Sequence, residues 1–60
     1  MTIAAQIAEL ARNIADCIEL IELACFNFSL TEDEVKDEVA YYEQQIATYR
    51  NRKAALEVWA

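Results

Sequence analysis

Cys17 and Cys25 are the strongest nucleophiles in the sequence, yet their surroundings leave them little to do. A thiol attacks only as a thiolate, which needs a neighbouring base or positive charge. The chain contains no histidine, so the usual general base and the commonest metal ligand are both missing. Eight positions on one helix separate the two sulfurs by about 12 Å along the axis, too far for a disulfide between them. Nor do they form the C-x-x-C spacing of zinc or redox sites. Both read as free, buried thiols of a reducing compartment, with Cys17 a core residue.

Carboxylates are the other reactive groups. Glu34 and Glu38 share a helix face and can hold a divalent cation weakly, but the simpler reading is a solvated first helical turn. Without histidine the Glu-x-x-His pattern of helical di-iron bundles cannot be built. Without glycine there is no phosphate-cradling loop of the familiar kinds. The sequence therefore predicts no catalytic residue, no metal and no cofactor: this is not expected to be an enzyme.

What the residues do well is form helices. Glycine and proline, the main breakers, are both absent, and 57% of the chain is apolar. One apolar series runs Ile3, Ile7, Leu10, Ile14, Cys17, Ile21, Ala24, in alternating steps of four and three, which is a heptad seam. Ala4, Ala11, Ile18 and Cys25 lie beside it and widen the stripe. A second series runs Val35, Val39, Tyr42, Ile46, Tyr49, Lys53, Leu56 with the same alternation. Lys53 is its one charged member, placed where its stem can lie on the core and its ammonium reach water.

The start of the second helix carries three agreeing signals. Thr31 with Glu34 is a capping box; Glu32, Asp33 and Glu34 put negative charge at the positive end of the dipole; Leu30 and Val35 are spaced as a hydrophobic staple. Arg50, Arg52 and Lys53 fall in the later half, the favourable side of that dipole. The fold class is all-α: one domain over 1–60, with a helix at about 2–26, a turn at about 27–31 and a helix at about 32–59. A connection this short between long helices makes an antiparallel hairpin. Paired seam positions then sum to about 59 or 60, so Leu10 meets Tyr49, Ile14 meets Ile46 and Cys17 meets Tyr42. Phe28, four residues after Ala24, is expected to continue the first seam and cap the core at the turn.

One hairpin leaves apolar surface unspent. Ordering sixty residues costs more than a single helix–helix contact can offset. Ala40, Ala47 and Ala54 repeat at seven residues, and small residues in register permit close helix approach. With Trp59 they form the candidate oligomer interface, and a homodimeric four-helix bundle is the expected assembly, with a higher oligomer as the alternative. Charge selects its orientation. Residues 16–38 hold eight acids against Lys36, a local charge of −7, while the rest of the chain carries +1 and the whole −6. Turns packed side by side would gather like charge at one end; turns at opposite ends bring Glu32–Glu38 of one copy towards Arg50–Lys53 of the other.

Leu20, Leu23 and Phe26 lie on the outer side of the first helix, beside the acidic residues Glu32, Asp33 and Asp37. Together these six form a candidate surface for a protein partner. The function expected is therefore that of a small acidic, non-enzymatic interaction or regulatory module in the cytoplasm. An accessory or inhibitor protein of a phage or plasmid fits that description, acting for example by imitating nucleic acid with its acidic tip. The hairpin architecture is also similar to the small plasmid Rop proteins, a resemblance that implies binding of paired RNA loops. That family uses basic and polar residues on the exposed face of its first helix. Here the face offers Glu9, Arg12, Asp16 and Glu19, which repel phosphate, so nucleic acid is not the expected partner. A third reading is a bundle that captures a small ligand through Tyr41, Tyr42, Tyr49 and the arginines. No apolar run approaches the length of a membrane span, and residues 1–12 lack the basic start and long apolar stretch of a signal peptide.

Overall fold

The computed structural model describes residues 2–59, and they form two helices packed side by side, α1 (Ile3–Cys25) and α2 (Glu32–Glu57). The hairpin is a rod of 43 × 14 × 12 Å. Both helices start on a threonine. The Thr2 hydroxyl accepts the Ala5 N–H at 3.0 Å, a cap with no reciprocal side chain because Ala5 stands where a glutamate would be needed. At α2 the box is complete: the Glu34 N–H donates to Thr31 Oγ1 at 3.2 Å, and the Thr31 N–H donates to Glu34 Oε1 at 3.0 Å.

The connection is short and held by several backbone hydrogen bonds. α1 does not end on a left-handed residue: no described residue has positive φ. Phe26 ends it instead at φ −97°, ψ 4°. Its N–H still reaches the Glu22 carbonyl at 3.1 Å, and the Asn27 N–H reaches Ala24 at 3.2 Å. Asn27 then organises the turn: its side-chain oxygen accepts the Ser29 N–H at 3.0 Å and its carbonyl accepts the Leu30 N–H at 3.2 Å.

The seams face each other as the heptads require. Cys17, Ala24 and Ile46 are buried, and Ile7, Leu10, Ile14, Ile21, Val35, Val39, Tyr42, Tyr49, Lys53 and Leu56 are half-buried. Ile3, at the open end, is just exposed. Lys53 behaves as its place implies, with Nζ 3.2 Å from Glu57 Oε1. Leu30 and Val35, the staple pair, are both half-buried.

Three expectations are corrected here. Phe28 does not cap the core; it is 98% exposed. The helix stops at Cys25, so the seven-residue count no longer applies, and Phe28 sits in the middle of the Asn27–Leu30 turn, pointing out. Cys25 is exposed, and only Cys17 is a buried thiol. The basic residues of α2 do not reach its last turn, which carries Glu57 and no base, so they gain little from a dipole effect confined to that turn.

The hairpin exposes 4644 Å². A compact monomer of its mass, 6.9 kDa, would expose about 4000 Å². An elongated pair of helices has only one interface in which to hide its apolar groups.

Candidate interaction surfaces

The two flanks of the hairpin differ in kind. On one flank, an open groove of about 600 Å³ near the free end is lined by Gln6, Glu9, Leu10 and Asn13 of α1 and by Tyr49, Arg52, Ala55 and Leu56 of α2. Leu10 and Tyr49 share this groove, in keeping with their expected pairing. Leu20, seven residues after Asn13, continues the same flank towards the turn and is 41% exposed. Of the tyrosines suggested as ligand contacts, only Tyr49 lines the groove. Tyr41 and Tyr42 pack edge to face instead, with ring centroids 5.3 Å apart.

The other flank is built of small residues. Two shallow clefts run along it, one lined by Ala11, Ile14, Arg50, Lys53 and Glu57, the next by Ile21, Glu43, Ile46, Ala47 and Arg50. On α1 this flank carries Ala4, Ala8, Ala11, Ala15, Ile18, Glu22 and Cys25, again spaced four and three, and every one of them is exposed. On α2 it carries Ala40, Ala47 and Ala54, exposed as well. The helix pair thus brings the α2 alanine stripe alongside a second seam of α1. Sequence reading missed Ala8 and Ala15; extending Ala4 and Ala11 by steps of four would have found them. Trp59 lies beyond the last residue of α2, 77% exposed, with its N–H on the Leu56 carbonyl at 3.0 Å.

At the turn, Leu23 is 59% and Phe26 75% exposed. Glu32, Asp33 and Asp37 are exposed nearby in sequence at the start of α2, and Lys36 lies 3.7 Å from Glu32 on the outer surface. No cluster of three or more potential metal ligands occurs among the described residues. Glu34 is held below the ordinary carboxylate value of 4.5, first by the Thr31 N–H and then by the Thr31 hydroxyl, both of which favour the charged form.

That depression sets a pH dependence. The contribution of the Glu34 carboxylate is complete above its unfolded value of 4.5 and is lost as pH falls through the lower folded value. Thr31→Ala should cost about 0.5–2 kcal/mol of helix stability. Below about pH 5 the urea midpoint of the wild type should fall towards that of Glu34→Ala as the carboxylate is protonated. A wild-type midpoint that runs parallel to that of Glu34→Ala over this range would show that the box does not stabilise the fold.

Fold and surfaces define a two-helix hairpin with one open, mostly apolar groove, one flank rich in alanine, and exposed apolar and acidic residues near the turn. No helix among the described residues is long and apolar enough to cross a membrane. Comparison with protein-family models, with curated proteins and with solved structures finds no match. The likeness to Rop proteins therefore rests on helix length and connectivity alone.

Proposed function

We propose that this chain is a non-enzymatic interaction module that homodimerises as a four-helix bundle and binds another protein through the acidic tip. The observation that carries this reading is the amount of apolar surface left outside the hairpin's single interface. Ile18, Leu20, Leu23, Phe26, Phe28, Tyr41, Val58 and Trp59 are all exposed, at 41% or more. Scattered apolar residues are ordinary on a surface, but so many on sixty residues favour contact with other chains. Two kinds of contact account for them. The small-residue flank suits a close-packed copy of the same chain, and the tip, with Leu23 and Phe26 exposed towards the end of α1 and Glu32, Asp33 and Asp37 exposed at the start of α2, suits a partner with an apolar pocket rimmed by basic residues. The reducing cytoplasm suits an exposed, unpaired Cys25.

The exposed face of α1 keeps Glu9, Arg12, Asp16 and Glu19 in water, which opposes RNA binding. Light scattering at micromolar concentration is expected to give twice the chain mass, and a 6.9 kDa particle would end the bundle reading. Phe26→Ser separates the tip from the dimer. It should leave the particle mass unchanged and abolish retention of the partner in a pull-down from the source cell. Loss of the dimer in that variant would mean that the tip seals the bundle instead. A salt-sensitive shift of structured RNA by the wild type would favour the Rop-like alternative.

A further inference from the structure

The small-residue flank has an unusual arrangement of charge. Beside Ala40, Ala47 and Ala54, α2 carries Lys36, Glu43, Arg50 and Glu57, spaced by seven and alternating in sign. Lys36 has Glu32 within its own helix, and Glu57 has Lys53. Glu43 and Arg50 make no ion pair with any described residue, although both line the same cleft with Ala47. Seven residues put them about 10.5 Å apart along the helix, beyond a direct ion pair in one chain.

The series is antisymmetric about its midpoint. Reversing it exchanges Lys36 with Glu57 and Glu43 with Arg50, so each charge meets its opposite. A contact related by a two-fold axis performs that reversal, because residue i meets j while j meets i. The alanines obey the same axis: Ala47 lies on it, and Ala40 exchanges with Ala54. With paired positions summing to about 60, the level of Ala47 falls at residue 13 of α1, where Ala11 exchanges with Ala15.

We propose that the occupant of this flank is a second copy of the chain, docked antiparallel with its two-fold axis at Ala47, so that Glu43 of each copy pairs with Arg50 of the other. This rests on the homodimer reading above and specifies its geometry. It differs from simple pairing of the acidic tip with the basic segment: Arg50 is met by Glu43, and the tip lies over the partner's open end. The alanines let the helices approach closely, and the reciprocal pairs fix register and exclude the arrangement with both turns at one end. The groove between Leu10 and Tyr49 stays on the outside.

The test uses Glu43→Arg, Arg50→Glu, their equimolar mixture and the double exchange Glu43→Arg/Arg50→Glu, with dimerisation read by sedimentation equilibrium and native mass spectrometry. Both residues are exposed in the hairpin, so circular dichroism should report retained helix in either variant. Each single variant places two like-charge contacts at the interface and should raise the dimer dissociation constant about ten- to a hundredfold. The mixture should form a heterodimer, and the double exchange a homodimer, both near wild-type affinity. If the single variants dimerise as tightly as the wild type, or the mixture gains nothing over them, the second copy does not sit on this flank and the inference fails while the homodimer reading survives. A monomeric wild type overturns both.

Discussion

Ile46→Ala is expected to unfold most of the chain at room temperature when assayed at low concentration. Ile46 is one of three buried apolar side chains, at 8% exposure, and it stands at the centre of the α2 seam. Removing its three outer carbons loses transfer energy and leaves a cavity, about 2–5 kcal/mol together. A core in a chain of this size rarely supplies more than about 3–5 kcal/mol in total. One substitution therefore spends most of what is available. Phe28→Ala is the matching control: a larger apolar group is removed, yet from a position 98% exposed, and the change should stay within about 0.5 kcal/mol. Urea titrations followed by far-ultraviolet circular dichroism compare the two directly. Equal losses would mean that the seams do not carry the fold.

The second large effect concerns concentration. If folding is coupled to dimerisation, stability contains the concentration of the chain, and each tenfold increase adds about 1.4 kcal/mol. Shared over the two chains of a dimer, such an increment should raise the thermal midpoint by roughly 5 °C. Melting curves at 1, 10 and 100 µM should therefore move upward in clear steps. Superimposed curves would mean that the hairpin is stable alone, and the apolar surface outside it would then need another explanation. Charge adds a further check on the same samples, because the proposed reciprocal Glu43–Arg50 contacts should weaken with added salt whereas alanine packing should not. A modest loss of midpoint in high salt, confined to the wild type and absent from Glu43→Arg, would tie the effect to those residues.

Most of the fold was legible because its determinants are local and periodic. The alternation of four and three between Ile3 and Leu56 is a property of spacing, and every half-buried or buried seam residue follows from it. The capping box at Thr31 was equally readable, since it needs only two residue types three positions apart. Reading failed where periodicity was carried past the end of an element. Phe28 was counted as the next seam residue, but the backbone leaves the helix at Phe26 and the turn takes that side chain outward. At the other end α2 stops at Glu57, so Trp59 lies beyond the helix. Cys25 is still within α1, yet it lies beside the seam and not on it, and a single partner helix does not reach that far round.

The sequence by itself determined that two amphipathic helices exist, where the second begins, and that catalytic and metal-binding side chains are scarce. These are matters of residue type, heptad count and capping chemistry, all expressed within a few turns of one helix. Only the tertiary structure decided which stripes share a side of the molecule. Docking α1 against α2 places Ala4, Ala11 and Ile18 with Ala47 and the unpaired Glu43 and Arg50, and sends Leu20 and the Gln6–Asn13 groove to the opposite flank. The reason is geometric: a helical wheel fixes angles around one axis, but it takes the second axis, and the rotation of one helix against the other, to turn two stripes into a surface.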